Sequence, residues 1–197
     1  NMHVAFCKAA AHLPWEQAAG VAAVEISNSD PARPMDGRVV AGLAAPAVED
    51  RLSREEQEDL LYSGVTPLDV NDAGEVTIVR AITTYTTNAG GTQDEALLDI
   101  GTIDSLNYMR EAWVAAIKKA FPQGKLEERT PASVEDVIYA TSKKAEKLGI
   151  VRNVDANKPK LHAEEDANTS GQINVAIPAA IVPGLHKVCG SIMLILH

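Results

Sequence analysis

Cysteine and long apolar runs are scarce in this 197-residue sequence, and each shortage excludes a class of protein. The two cysteines, Cys7 and Cys189, lie near opposite ends of the chain, so they form no CxxC pair of the kind found in zinc sites. We expect both to be reduced, packed thiols, which favours a reducing, cytoplasmic place of assembly. The longest strongly apolar stretch, residues 192–196, is far shorter than the roughly 20 residues of a membrane-spanning helix. The sequence therefore predicts neither a zinc site nor membrane insertion.

Positive charge is also in short supply. Lysine and arginine total 18 against 27 aspartates and glutamates, which gives a formal net charge of -9. A surface of that sign repels phosphate backbones and anionic lipid head groups, so we expect no nucleic acid partner. Apolar residues make up 46% of the chain, enough for the core of one sizeable domain or of two small ones.

The motifs of the common reaction machineries are missing. The chain contains no GxSxG, GxxxxGK[ST], GxGxxG or HExxH pattern. Acidic clusters at residues 55–59 and 164–166 are interpreted as a helix start and a solvated turn, because neither has the ligand spacing of a calcium loop. No histidine has another histidine three or four residues away, so each is interpreted as a surface or capping residue: His3, His12, His162, His186 and His197. We predict no catalytic residue, no metal ligand and no cofactor.

Local patterns in the first half predict two helices. Apolar residues recur every three or four positions over residues 14–26, the spacing of one helix face. Ser53 and Glu56 have the spacing of a capping box, in which each residue's side chain accepts a hydrogen bond from the other's backbone. A short helix to about Tyr62 should follow, and Gly64 should end it.

A hairpin and a linker are predicted next. Two β-prone runs, residues 65–70 and 75–82, flank Asn-Asp-Ala-Gly at residues 71–74, a turn-forming sequence. Residues 83–92 are polar and glycine-rich, and we expect them to be a flexible linker between two subdomains.

Two long helices and three strands are predicted in the second half. The helices span residues 102–121 and the stretch from Ser133, with Asp136 as its capping partner, to Gly149. The strand candidates are residues 160–164, 172–177 and 188–196.

The last of these strands is apolar on both faces, at Ile192, Met193, Leu194, Ile195 and Leu196. Such a strand must be covered on two sides. It is either a central strand of the domain's own sheet or a strand that pairs with a neighbouring subunit.

Several segments, in order along the chain, resemble the Mu-like branch of phage tail sheath proteins. They are WEQAA at residues 15–19, DPARP at 30–34, GLAAP at 42–46, DRLSREEQ at 50–57, IVRAITTY at 78–85 and INVAIP at 173–178. The chain departs from the family's pattern in being short between residues 126 and 134. The resemblance implies an α+β fold, an α/β sandwich. Residues 1–87 would be the end of a subtilisin-like α/β sheath domain, and residues 93–197 a C-terminal domain of two helices packed on a small mixed sheet.

The resemblance also implies a function without catalysis, and it implies that a natural N-terminal portion precedes this sequence. The protein would be a structural subunit that polymerises helically around a tail tube and contracts to drive that tube through the host envelope during genome ejection. Its partners would be other sheath subunits, the tail tube protein, and baseplate and tail terminator proteins. It would assemble in the bacterial cytoplasm and reside in the virion. Residues 192–196 would connect neighbouring subunits.

The alternatives are an assembly module of a closed cytoplasmic complex and a subtilisin-like hydrolase remnant.

Overall fold

A computed structural model describes residues 2–127, 130–187 and 189, and the chain divides into two compact units. The first unit comprises the chain up to Gly101 and again from Gly184 onward. The second unit comprises Thr102–Pro183, so the chain leaves the first unit, forms the second and then returns. Helices and small sheets occur in both units, which confirms the predicted α+β class. Among the described residues, no helix combines the length and the apolar character needed to cross a membrane.

A small mixed sheet organises the first unit. Its strands are β1 (Ala5–Phe6), β2 (Thr66–Val70) and β3 (Val76–Ile78), in the order β1-β2-β3. Strands β1 and β2 are parallel, whereas β2 and β3 form the predicted antiparallel hairpin. The Asn71 side chain accepts hydrogen bonds from two backbone N–H groups of the turn, which fixes it. Strand β3 is shorter than the predicted run of residues 75–82 and ends at Ile78. Beyond it, Ile82 N donates to the buried side-chain hydroxyl of Thr66 and not to a backbone carbonyl of β2.

Two helices accompany this sheet, α1 (Pro14–Ile26) and α2 (Arg54–Tyr62), and both confirm the predicted bounds. The capping box of α2 is present: Glu56 N donates to Ser53 Oγ at 3.2 Å and Ser53 N donates to Glu56 Oε2 at 2.8 Å. A 3-10 turn, Val48–Asp50, precedes α2.

The predicted linker, residues 83–92, is a loop of the first unit that hydrogen bonds hold in place. It passes so close to Gly64, which has a φ of +74°, that a Cβ there would lie 3.0 Å from Thr84 Cα. Thr83 N donates to Leu98 O at 2.7 Å, and Tyr85 Oη donates to an Asp94 carboxylate oxygen at 2.6 Å. The boundary between the units falls later, after Gly101. That residues 83–92 flex remains a prediction, as do the domain bounds 1–87 and 93–197.

The core of the first unit joins the sheet to α1 and to the loop after it. It includes Val21 and Val24 of α1, Val40 of the loop, and Leu68 and Ile78 of the sheet. Burying an aliphatic side chain contributes roughly 1.5–3 kcal/mol, so each of these core residues stabilises the unit.

The two cysteines differ in their environments. Cys7 is buried in the core of the first unit, as predicted, whereas Cys189 is exposed and not the packed thiol that we expected. Free cysteines tend to be buried as small apolar residues, but Cys189 follows a stretch of chain with few backbone contacts.

Two long helices form much of the second unit, α3 (Ile100–Ala120) and α4 (Thr130–Lys147); the first two residues of α3 belong to the first unit. The predicted start of α4 at Ser133 is wrong, because the helix begins three residues earlier. Pro131 fits the first turn of the helix, because the backbone N–H that proline lacks would have no acceptor within the helix at that position. The Thr130 hydroxyl accepts a hydrogen bond from Glu127 N at 2.8 Å.

A two-stranded antiparallel sheet completes the described part of the second unit. After the short helix α5 (Val154–Asn157) and a 3-10 turn (Lys158–Lys160) come β4 (His162–Glu165) and β5 (Ile173–Ala176). Glu135 of α4 accepts a hydrogen bond from Ala163 N at 2.7 Å, which fastens the sheet to the helix.

The hydrogen bond between α3 and α4 gives a test of the second unit's packing. Trp113 Nε1 donates to Ser142 Oγ at 3.0 Å, and both residues are buried. Ser142→Ala should lower the free energy of unfolding by about 1–3 kcal/mol, since it leaves the buried indole N–H without an acceptor. Urea denaturation measures this change.

The neighbouring Thr141 provides the control. Its hydroxyl donates only to the Val137 carbonyl of its own helix. Thr141→Ala should therefore change the unfolding free energy by less than about 0.5 kcal/mol. An equal loss in both variants would contradict the assigned role of the Trp113–Ser142 bond.

Candidate functional site

The predicted inter-subunit strand, Ile192, Met193, Leu194, Ile195 and Leu196, lies outside the described residues. The stretch that leads to it is described, and we call residues 184–187 the return segment, since the chain there rejoins the first unit.

The return segment runs close to the loop after α1. A Cβ on Gly184 would lie 2.8 Å from Pro34 Cγ and 2.9 Å from His186 Nε2, which is closer than nonbonded atoms approach. A glycine at this position is therefore what allows the chain to pass Pro34 and to turn His186 inward.

His186 lies between two carboxylates of the first unit. Its Nδ1 donates to Asp36 Oδ2 at 2.7 Å, and its Nε2 lies 3.4 Å from Asp99 Oδ1. Arg80 donates two hydrogen bonds to the same Asp99, from Nε to Oδ1 at 2.9 Å and from Nη2 to Oδ2 at 3.0 Å. We call Asp36, Arg80, Asp99 and His186 the His186 cluster. The side chain of His186 is 19% exposed and that of Asp99 is 18% exposed, so water screens these charges only weakly.

These contacts change the titration of both partners. The hydrogen bond to Asp36, followed by the contact with Asp99, outweighs burial and raises the pKa of His186 to about 9. Burial alone would raise the pKa of Asp99, but its contacts with His186 and Arg80 lower it to about 2. At neutral pH the cluster therefore holds two positive and two negative charges.

A groove of about 740 Å³ opens beside the cluster within the first unit. Charges of both signs line it: Arg54 and Glu58 come from α2, Glu95 from the loop before α3, and Lys187 from the return segment. Such a lining gives no preference for an anion or a cation, and no group of three acidic, histidine or cysteine side chains suitable for a metal occurs in the described part of the chain.

The prediction that every histidine is a surface or capping residue is wrong for His3 and His186, whose side chains are only 18% and 19% exposed. His3 contacts the Thr66 hydroxyl at 3.0 Å, and the partner of His186, Asp36, is 150 residues away in sequence, a separation that no local spacing reveals. His12 accepts a hydrogen bond from Ala44 N at 2.8 Å, and His162 is 67% exposed. His197 lies outside the described residues.

The cluster predicts how stability depends on pH. Because the pKa of His186 is raised from 6.5 to about 9, its charge stabilises the fold fully below pH 6.5, and this contribution is lost as pH rises through about 9. The matching contribution of Asp99 is lost only as pH falls through about 2. His186→Gln should cost on the order of 3 kcal/mol of unfolding free energy at pH 6 and much less at pH 11, as measured by urea denaturation at each pH.

His162→Gln is the matched control, because His162 also lies between two carboxylates, at 3.7 and 3.6 Å, but in a far more exposed place. It should change stability by less than about 0.5 kcal/mol. A difference between wild type and His186→Gln that stays constant from pH 6 to pH 11 would exclude the charged imidazole as the cause.

The fold resembles solved sheath structures. The sheath tail protein of Desulfitobacterium hafniense superposes with a TM-score of 0.70 at 12% identity, over 93% of this chain and 42% of that one. The helical sheath of the anti-feeding prophage in its contracted state gives a TM-score of 0.65 at 14% identity, over 99% of this chain and 55% of that one. At such identities the likeness concerns the fold.

Sequence comparisons lead to the family. The Mu-like prophage FluMu tail sheath protein of Haemophilus influenzae is 33% identical over 157 residues, which are 74% of this chain and 32% of that protein. The chain thus spans about a third of the length of this relative. The phage tail sheath protein central domain matches residues 5–84, and the phage tail sheath C-terminal domain matches residues 92–195, more than half of the chain. The chain therefore belongs to the phage tail sheath protein family.

Proposed function

We propose that this chain is part of a structural subunit of a contractile tail sheath, which polymerises helically around a tail tube and contracts to drive the tube through the host envelope. The observation that carries this proposal is the match of both sheath domains, in order, over residues 5–84 and 92–195. The likeness to a contracted helical sheath over 99% of the chain supports it. Contraction of a lattice requires folded bodies that move as units, and two compact units meet this need.

The His186 cluster supports a function without catalysis. A general base needs a free ring nitrogen and a neutral imidazole at the working pH. Both nitrogens of His186 face carboxylates, and its raised pKa of about 9 keeps it charged. These contacts count against the hydrolase alternative. Fold alone does not imply hydrolysis, even if residues 1–87 are the end of a subtilisin-like domain.

The proposed partners follow from this role. They are other sheath subunits, the tail tube protein, and the baseplate and tail terminator proteins, with residues 93–197 as the C-terminal sheath domain. Assembly would take place in the bacterial cytoplasm and the product would be a virion component. The net charge of -9 supports contacts with proteins over contacts with nucleic acid.

Residues 192–196 are proposed to join one subunit to the next. All five are apolar, so both faces of a strand formed by them need cover. The match to the sheath C-terminal domain extends to residue 195, which includes most of this stretch. Adding a strand to a neighbour's sheet would satisfy its backbone and bury its side chains.

Electron microscopy of the complete gene product at rising concentration tests the proposed function. We expect long hollow helical tubes with a repeating ring spacing, since sheath contacts are heterologous and propagate. Closed rings or monomers at every concentration would favour the alternative of a closed complex.

Removal of residues 191–197 tests the connector. The deletion should abolish tube formation while leaving the monomer folded, as judged by electron microscopy and circular dichroism. A variant in which these seven residues are replaced by glycine and serine at the same length is the control for chain length, and it should fail in the same way. Normal tubes from either variant would refute the connector role.

A further inference from the structure

The return segment is attached to the first unit by one side chain. Among hydrogen bonds between described residues, the bond from His186 to Asp36 is the only one made by residues 184–187. Just before this segment, Val182 N donates to Ile150 O, a backbone bond within the second unit. Once the chain has re-entered the first unit, its position therefore depends on His186.

The stretch where the chain leaves the first unit is held differently. Backbone bonds fix it, because Thr83 N donates to Leu98 O at 2.7 Å and Ile100 N donates to Ala81 O at 3.3 Å. Asp99 lies between these two bonds, so it is a fixed partner for His186. The loop that carries Asp36 is also fixed, since Gly37 N donates to Ile78 O at 2.7 Å.

Charge decides whether this attachment holds. Asp36, Asp99 and Arg80 surround His186, and Arg54, Glu58, Glu95 and Lys187 line the adjoining groove. With His186 protonated, the cluster is neutral. Loss of that proton leaves two carboxylates and one guanidinium in a half-buried place, and the neutral imidazole keeps only one N–H and no charge to offset the two acids.

The cluster is incompletely bonded even when closed. Asp36 Oδ1 and His186 Nε2 are buried and make no hydrogen bond to a described residue. If every polar atom of the cluster were hydrogen-bonded, the return segment would be held as firmly as the core. Because two of these atoms have no such bond, the attachment of the segment depends on the ion pairs of His186.

We propose that the His186 cluster is a releasable clasp: the charged imidazole holds the return segment on the first unit, and loss of its charge or of either carboxylate frees that segment and the nearby Cys189. The clasp is independent of polymerisation, so it can be tested on the unassembled protein.

Cys189 offers a probe three residues beyond the clasp, because it is exposed and Cys7 is buried. A nitroxide is attached to Cys189 of the complete gene product, in a background where Cys7 and any other cysteine are alanine, below the concentration at which the protein assembles. Electron paramagnetic resonance then reports the mobility of the label. At pH 7 we expect a slow component in the wild type and its loss in His186→Gln, Asp36→Asn and Asp99→Asn.

A pH titration of the labelled wild type makes the test independent of any substitution. The slow component should decrease between pH 6.5 and about pH 9, because the pKa of the imidazole is about 9 in the closed clasp and 6.5 when the imidazole is free. The His186→Gln spectrum should not change over the same range, and His162→Gln should behave as wild type. Circular dichroism excludes global unfolding.

Identical spectra for wild type and His186→Gln at pH 7 would overturn the proposal, as would a wild-type spectrum that is constant from pH 6 to pH 11. Failure to form tubes would refute the sheath role but would leave these spectra unchanged, so the two proposals fail separately.

Discussion

The first unit is assembled from two separate stretches of chain, and residues 184–187 of the shorter one make no backbone hydrogen bond to a described residue. A sheet or helix would normally supply such bonds, so charge has to take their place here. His186 therefore lies between Asp36 and Asp99, while Arg80 holds Asp99 in position. Gly184 allows His186 to reach this position, since any side chain at residue 184 would collide with Pro34.

The second unit shows the opposite organisation. Its residues are contiguous, and its elements are joined by hydrogen bonds such as the Glu135 bond to β4 and the Trp113–Ser142 bond between its long helices. A body that holds itself together in this way can keep its shape while its surroundings move. This property is what a subunit of a rearranging lattice requires.

Prediction from sequence succeeded where the cause is local. The capping box at Ser53 and Glu56 and the turn at residues 71–74 are each formed by groups within four residues of one another, and both are present. The start of α4 was misplaced because Ser133 and Asp136 carry the same spacing, while Pro131 already favours an earlier first turn. The His186 cluster joins residues from four distant places, so no periodicity or motif indicates it.

The order of synthesis gives this topology a kinetic consequence. A ribosome synthesises the whole of the second unit before it reaches His186, because that residue follows Pro183, the last residue of the second unit. The residues of the first unit that precede Thr102 therefore leave the ribosome well before the residue that completes the His186 cluster. The contact between Asp36 and His186 forms only after the intervening second unit has been synthesised, and Asp36 lacks this partner until then.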